Sequence, residues 1–202
     1  NRGSDTRDFQ DTMRLTQPRI EPVPPEQWTA EQAEIARPIL ERHGKLLNIF
    51  RTQLNHPEAM RGFLGFGSYV LSKRNTLPPR ERELVVLRTG YLSRSGYEWT
   101  QHRRIGLNAG LTEEEVERIK RGPDAPGWSA ADAALLRATD ELHADQFIRD
   151  PAWEELRRHF DERQCMDVVY TVGQYVLVSM LLNTLGVQLD EGQVLDPDLR
   201  KE

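Results

Sequence analysis

The sequence predicts an all-α fold, and three observations lead to that prediction. Helix-capping signals recur along the chain, among them the capping boxes that begin at Thr29 and Thr112. Prolines stand at first helical positions, as at Pro57 and Pro79. No stretch alternates apolar and polar residues over the length of a strand with turn signals on both sides. We therefore expect a helical bundle without a sheet.

A single domain with an extended N-terminal arm is expected. Residues 1–28 hold four prolines among charged residues, a composition that cannot build its own core and favours extended chain. This arm is expected to pack on the body of the chain or on a neighbouring subunit. Residues 29–202 are expected to form the helical domain. Its predicted helices span 30–42, 46–54, 57–73, 79–92, 96–109, 112–121, 129–144, 151–159 and 161–185.

The last predicted helix, 161–185, is apolar on most sides, which is typical of a central or interface-buried helix. Its polar residues, including Gln174, Ser179 and Asn183, argue against a membrane span. No apolar run approaches the roughly 20 residues that such a span needs, and the first residues of the chain lack a signal-peptide core. We therefore expect a soluble, cytoplasmic protein that does not bind membranes.

Charge and cysteine content exclude several classes of function. The 202 residues include 27 Lys and Arg and 32 Asp and Glu, interleaved without long runs of one sign. Nucleic-acid affinity comes mainly from clustered cations, so we predict no nucleic-acid partner. Cys165 is the single cysteine, which excludes an intrachain disulfide, a C-x-x-C pair and a thiolate metal cage. On its apolar helix it is predicted to be a small buried hydrophobe.

Candidate chemistry is concentrated on the helix that begins near Gly96. At 100° per residue, Glu98, His102, Ile105 and Ala109 fall within a stripe roughly 60° wide, and the apolar members predict that it faces inward. A carboxylate and an imidazole one turn apart on a buried face can shift each other's pKa toward neutrality. This pair is therefore a candidate acid–base site.

A second carboxylate, Glu83, is predicted to reach the same site. It lies on the helix 79–92, and the short turn 93–95 makes an antiparallel hairpin with the following helix. The axial heights of Glu83 and His102 then differ by only roughly 4 to 5 Å. Glu83 is therefore expected to orient the His102 ring or to return a proton to it.

Two other interpretations of this pattern remain open. A Glu and a His four residues apart also occur on exposed helices, where the pair is worth a few tenths of a kcal/mol. Glu83, Glu98 and His102 could also bind a divalent metal. The sequence offers no second histidine in a fixed signature, so we predict no metal and no cofactor.

Three spaced segments, 82–88, 95–102 and 109–115, resemble the carboxymuconolactone decarboxylase and AhpD-like alkylhydroperoxidase superfamily. The resemblance covers 57–121 well and extends more weakly to 161–185. It implies an AhpD-like helical bundle. It also implies a homo-oligomer, which in this superfamily is a dimer, a trimer or a hexamer.

The peroxidase branch of the superfamily implies residue roles that this chain keeps only in part. In that branch a C-x-x-C pair precedes the motif histidine, and a glutamate on the preceding helix completes a proton relay. The histidine corresponds to His102 and the relay glutamate to Glu83, but the cysteine positions hold Ser95 and Glu98. Neither residue supports thiol chemistry, so the acid–base part of the site is what the resemblance carries over.

The decarboxylase branch implies a lyase that works without a metal or an organic cofactor. Its reaction replaces a lost carboxylate by a proton, which requires a proton donor and acceptor beside an apolar wall. On this chain His102 would be the main proton-transfer residue, Glu98 its partner or the substrate-facing acid, and Glu83 the group that sets the imidazole tautomer. The expected substrate is a small lactone, enol or carbonyl acid.

Candidate substrate contacts follow from the same hypothesis. They are Trp99, Tyr97, Ser95, Phe66 and Arg88. The aromatic residues would supply the apolar wall, although aromatics at helical spacing are also typical of a plain core. The arginine would pair with a substrate carboxylate or with Glu83. Two alternatives remain: a redox protein that uses Cys165 or an outside thiol, and a non-catalytic helical oligomer.

Overall fold

Nine α-helices account for most of residues 15–199, the part of the chain that the computed structural model describes, and no strand occurs there. The helices are α1 (Ala30–His43), α2 (Asn48–Gln53), α3 (Pro57–Val70), α4 (Pro79–Leu92), α5 (Gly96–Asn108), α6 (Glu113–Arg121), α7 (Ala130–Asp145), α8 (Asp150–His159) and α9 (Glu162–Leu185). Short 3-10 turns lie at Pro25–Gln27 and Pro197–Leu199. The all-α prediction is confirmed.

Local capping chemistry sets most helix boundaries. Both predicted capping boxes form, with Thr29 and Thr112 accepting from the backbone of the third helical residue and that residue's side chain accepting in return. Gly186 ends α9 in the left-handed conformation, at φ 69°, which costs glycine little. These boundaries depend on residues within one turn of each other, so the sequence pattern was sufficient to predict them.

Helix α3 ends earlier than the pattern predicts. It was expected to reach residue 73 but stops at Val70, where Asn75 Nδ2 donates to the Val70 carbonyl at 3.0 Å. The following turn is held from α9, because the Asp167 carboxylate accepts from the backbone and the hydroxyl of Thr76 at 2.7 Å each. This contact joins residues 91 apart in the chain, so a local pattern does not reveal it.

The α4–α5 hairpin forms the centre of the bundle. Helix α4 packs against α5, α6, α7 and α9, and its residues 83–90 are all buried. Close packing of α5 depends on Gly106, whereas Gly90 leaves room for a methyl group. A Cβ on Gly90 would lie 3.6 Å from the Glu98 Cβ, and a Cβ on Gly106 would lie 2.9 Å from Leu111 Cδ1. A side chain at Gly106 would also lie 3.2 Å from Leu87 Cδ1 on α4, so it would push apart the helices that carry the candidate site.

Helix α9 spans 24 residues and is long and apolar enough, by length and composition, to cross a membrane. However, 56% of its most apolar window is buried inside the bundle, where the helix packs on α3, α4, α5, α7 and α8. These contacts are those of a core helix. Cys165 is fully buried on α9, as predicted, and its Sγ lies 3.7 Å from the Phe160 carbonyl.

Residues 15–28 of the predicted arm pack on the body of the same chain. The backbone of Arg19 donates to the Leu185 carbonyl at 2.9 Å, and that of Val23 donates to the Arg51 carbonyl at 3.1 Å. Of the two expected locations for the arm, this segment takes the first. Residues 1–14 of the arm, and residues 200–202 of the predicted domain, lie outside the described residues.

A C-terminal strap, defined as residues 186–199, crosses the outside of α5. Its Asp190 carboxylate accepts from Tyr97 Oη at 2.6 Å, from Gln101 Nε2 at 2.8 Å and from the Asn48 backbone at 2.8 Å. The strap therefore ties α5 to α2. The sequence analysis did not identify this segment as a separate element.

Candidate active site

His102 lies between two buried carboxylates. Its Nδ1 is 2.6 Å from Glu83 Oε2, and its Nε2 is 2.9 Å from Glu98 Oε1. The three residues are 4%, 0% and 5% exposed for His102, Glu83 and Glu98 respectively. The three side chains lie together as predicted. Because all three are buried, Glu98 and His102 are not the solvent-exposed pair that the sequence also allowed.

The hairpin positions the three side chains, but one premise of the prediction was wrong. Glu98 and His102 do face inward, whereas Ile105 on the same predicted stripe is 37% exposed. The inward face continues instead through Gly106, which contacts Leu87 and Leu111. The turn of α5 that carries His102 is therefore buried, whereas the next turn exposes Ile105 to solvent.

The charges around His102 favour its protonated form. Burial opposes an imidazolium, but the negative charges of Glu83 and Glu98, and hydrogen bonds to them, outweigh that cost and raise the pKa of His102 to about 10. Near neutral pH the site therefore holds an imidazolium between two acidic side chains. Both ring nitrogens are then donors.

Tyr175 on α9 completes the cluster, and the sequence analysis did not assign it to the site. Its Oη lies 3.0 Å from His102 Nε2, and the two rings meet edge to face with centroids 4.9 Å apart. Burial, and then the charges of Glu98 and Glu83, raise the pKa of Tyr175 well above its usual value, so the phenol keeps its proton. Only the packing of α9 against α5 brings these residues together, 73 positions apart.

Two fully buried side-chain oxygen atoms of the α4–α5 hairpin have no hydrogen-bond partner within residues 15–199. They are Glu83 Oε1 and Ser95 Oγ, and both residues are fully buried. Ser95 is the N-cap of α5, but its side chain does not cap the helix. Buried polar atoms are nearly always paired in folded proteins, so such atoms are available to a ligand or to water.

The predicted aromatic wall is not placed against the imidazole. Trp99 lies about 100° around α5 from Glu98, and its Nε1 donates to Asp196 of the strap at 3.1 Å. Tyr97 lies on the other side of Glu98 and donates to Asp190. Both side chains are buried and their polar atoms bind the strap, which holds α5 in place; their role as substrate contacts stays a prediction.

Arg88 and Phe66 are also placed away from the triad. The Arg88 guanidinium donates to both oxygens of Asp140, at 2.6 and 2.9 Å, and to two carbonyls at the end of α6. The guanidinium therefore does not pair with Glu83, and its hydrogen bonds are directed at α6 and α7. Phe66 is 42% exposed and packs against Tyr69 and Tyr170 on the outer face of α3 and α9.

The geometry of the triad does not suit a metal ion. Within residues 15–199 no group of three or more His, Cys, Asp or Glu side chains is arranged to hold one. The imidazole stands between the carboxylates and contacts each through a different nitrogen, so the three side chains do not converge on one point. Two surface pockets, one along α6 and one between α1 and α3, lie away from the triad.

A helical bundle with a buried histidine on its central hairpin places the chain in the AhpD-like fold class. Residues 57–141 match the carboxymuconolactone decarboxylase family. This match spans less than half of the 202-residue chain, and the likeness to the AhpD-like proteins is one of fold. By the resemblance to the peroxidase branch, Ser95 and Glu98 occupy its cysteine positions, so this chain lacks the cysteine pair.

Known proteins similar to this chain include the YdfG protein of Bacillus subtilis (strain 168), 22% identical over 120 residues that cover 58% of this chain and 80% of YdfG. A peroxidase-related protein from Ralstonia eutropha JMP134, described as an alkylhydroperoxidase AhpD core, is 20% identical with a TM-score of 0.72, covering 84% of this chain and 91% of that one. The debrominase Bmp8, solved as a cysteine-to-alanine variant in complex with 2,3,4-tribromopyrrole, is 12% identical with a TM-score of 0.71, covering 90% and 95%. At these identities the two structures establish the fold alone.

The raised pKa of His102 predicts a pH-dependent stability. The folded-state pKa of about 10 lies above the ordinary value of 6.5, so the stabilisation from protonated His102 is fully present below pH 6.5 and is lost as the pH rises through 10. Between these limits the contribution to the free energy of unfolding falls by about 1.4 kcal/mol per pH unit. Urea denaturation at pH 7, 8 and 9 measures it.

The matched variants for this measurement are His102→Gln and His43→Gln, the second at an exposed position. His102→Gln should remove the decline that the wild type shows, and His43→Gln should keep it. Equal pH slopes for the wild type and His102→Gln would contradict the assigned protonation state.

Proposed function

We propose that the chain is a cofactor-independent enzyme of the decarboxylase-like branch, which moves a proton on a small lactone, enol or carbonyl compound. The observation that supports this proposal is the imidazole of His102 held between two buried carboxylates at 2.6 and 2.9 Å. Enclosed acid–base pairs with shifted pKa values are typical of proton-transfer sites.

The contacts favour a different role for each member of the triad. Glu83 occupies His102 Nδ1, which suits a residue that orients the ring and stabilises its charge. Glu98 Oε1 contacts His102 Nε2 at 2.9 Å, while Glu98 Oε2 makes no hydrogen bond within residues 15–199. We therefore assign Glu98 as the residue that exchanges a proton with substrate, and His102 as the residue that supplies or withdraws that proton.

Burial of the site fits this chemistry. Loss of carbon dioxide from a carboxylated lactone breaks a C–C bond and leaves its electron pair on the substrate as an enolate, which then takes a proton on carbon. A closed site excludes water and strengthens the electrostatic interactions that control this proton. Because the triad is almost completely buried, we expect neighbouring side chains to move when a substrate binds.

The fold is compatible with a small cyclic substrate, since the debrominase Bmp8, which shares it, was solved in complex with 2,3,4-tribromopyrrole. A thiol-based redox reaction is disfavoured for this chain. Cys165 is buried in the core, roughly 15 Å along α9 from Tyr175, and burial raises the pKa of its thiol. A raised thiol pKa lowers the thiolate fraction on which peroxide reduction depends.

Substitutions at the triad test the role proposed for each residue. On a substrate found by screening small lactones and keto acids, Glu98→Gln and His102→Gln should each lower kcat about 10²-fold or more, the scale of losing a positioned acid or base. Glu83→Gln should cost less and shift the pH optimum downward, because losing a negative charge beside His102 lowers its pKa. Steady-state kinetics against pH measure both effects.

Glu81→Gln is the matched control, since Glu81 lies on the same helix and remains partly exposed. It should leave turnover unchanged. Near-normal kcat in both Glu98→Gln and His102→Gln would refute the proposed site. Peroxide turnover that persists in Cys165→Ala, with or without an added thiol, would refute the loss of redox chemistry.

We also propose that the chain forms a homo-oligomer through an apolar stripe on the outer faces of α3 and α9. Apolar side chains that are 41–55% exposed form this stripe: Phe66, Met166, Val169, Tyr170, Leu177 and Met180. On α9 they recur at helical spacing over about 21 Å. Contiguous apolar surface on this scale normally marks a protein contact, and the resemblance to oligomeric proteins favours a second copy.

Charged substitutions on the stripe should dissociate the assembly. Light scattering of the wild type should give a multiple of 23.3 kDa, and Tyr170→Glu with Met180→Glu should reduce the mass to that of one chain. The control is Val194→Glu, an equally drastic change at a 73% exposed position on the strap. A wild-type mass of one chain at micromolar concentration would contradict the proposal.

A further inference from the structure

Tyr175 has a hydrogen that its surroundings leave free. When His102 is an imidazolium, Nε2 carries a hydrogen, so Tyr175 Oη at 3.0 Å accepts from the ring and does not donate to it. This is the single hydrogen bond that Tyr175 Oη makes within residues 15–199. The phenolic O–H, on a side chain that is 3% exposed, is therefore a buried donor without an acceptor.

An unused acceptor lies beside this donor. Glu98 Oε1 is 2.9 Å from the same nitrogen that Tyr175 contacts, and Glu98 Oε2 has no partner within residues 15–199. The two side chains therefore flank one edge of the imidazole, one with a free hydrogen and the other with a free carboxylate oxygen. Leaving the Tyr175 O–H buried and unpaired is costly, and Glu98 keeps 5% of its surface exposed, so the pair is suited to a ligand that satisfies both groups.

A ligand of one chemical class satisfies both groups. A carbonyl oxygen accepts a hydrogen bond, and the acidic C–H on the adjacent carbon gives its proton to a carboxylate. A neutral hydroxyl donor at the oxygen together with a carboxylate base at the carbon is an established solution for enolisation, because the donor stabilises the negative charge that develops on oxygen.

We propose that Tyr175 donates a hydrogen bond to the carbonyl oxygen of the substrate while Glu98 exchanges a proton with the neighbouring carbon, so the substrates are ketones or lactones that pass through an enolate. This inference rests on the proposed function and adds a fourth residue, Tyr175, to the proposed site.

The step is balanced without another reactant. Glu98 removes the proton from carbon, an O–H bond forms on the carboxyl group, and the C–H electron pair moves to form the enolate. The charge on oxygen is held by the Tyr175 O–H, which stays bonded to its own oxygen. Return of the proton from Glu98 to another carbon of the same enolate gives an isomer. Return to the same carbon gives isotope exchange when the carboxyl proton of Glu98 has first been replaced by deuterium from D₂O.

The first test needs no ligand, because the direction of the Tyr175 hydrogen bond controls the pKa of His102. If the oxygen accepts from the imidazolium, it stabilises the charged ring, and Tyr175→Phe should lower the His102 pKa in an NMR titration. Glu83 and Glu98 face the ring in both proteins, and Arg82 beside Tyr175 is also unchanged. Tyr170→Phe, on the exposed face of α9, should have no effect.

An unchanged or raised His102 pKa in Tyr175→Phe would overturn the inference. It would show that the phenol does not accept from the ring, or that it donates to a neutral imidazole and has no free hydrogen. Glu98 and Glu83 would keep their proposed roles in that case, so this result leaves the proposed function standing.

The second test uses two probes, a β,γ-unsaturated five-membered lactone and cyclohexanone, in D₂O. The wild type should isomerise the lactone and exchange the hydrogens next to the ketone. Tyr175→Phe should lower kcat about 10²-fold with little change in KM, as expected for loss of a hydrogen bond to a developing oxyanion. Glu98→Gln should lower kcat at least as much, and Glu81→Gln should match the wild type.

The outcomes distinguish the two proposals. Loss of activity in Glu98→Gln with full activity in Tyr175→Phe would overturn the role of Tyr175 and support the proposed function. Absence of exchange on both probes in the wild type would overturn the substrate class. Loss in both variants, together with the lowered His102 pKa, would support the whole assignment.

Discussion

The ion-paired imidazole of His102 is the interaction on which the rest of the site depends. Three ionisable side chains are enclosed in a helical core, where an unpaired charge would be expensive. Each carboxylate contacts a different ring nitrogen, at 2.6 and 2.9 Å, so the single positive charge of the imidazolium is shared between both carboxylates. Removing one partner of such a buried pair typically costs about 3–5 kcal/mol, and this constraint fixes the register of α5 against α4.

The bundle restrains α5 on the side opposite the imidazole as well. The strap accepts hydrogen bonds from Tyr97 and Gln101 through Asp190, and from Trp99 through Asp196. Lys120 on α6 holds Asp196 at 2.9 Å, which joins the strap to a third helix. Residues on either side of Glu98 therefore serve to hold the helix, and this leaves Glu98 and His102 as the members of α5 that are directed to the candidate chemistry.

Local sequence patterns predicted the fold class, most helix boundaries and the Glu83–Glu98–His102 cluster. They succeeded because capping, a four-residue spacing and a tight hairpin each depend on neighbours in the chain. They failed for Tyr175 and for the strap, which reach α5 from more than 70 residues away. The role expected for Arg88 was wrong for the same reason, because its partner Asp140 lies on α7. The prediction that Ile105 is buried was wrong because one face of a helix can be buried at one end and exposed to solvent further along.

The positions of hydrogen atoms at His102 test the account most directly. Neutron diffraction from a deuterium-exchanged crystal near pH 7 would locate them. The account predicts deuterium on both ring nitrogens, none on the oxygens of Glu83 and Glu98 that face the ring, and a Tyr175 O–D bond that points away from the ring. A bare Nε2 with the Tyr175 deuterium directed at it, or a protonated Glu98 beside a neutral ring, would contradict it.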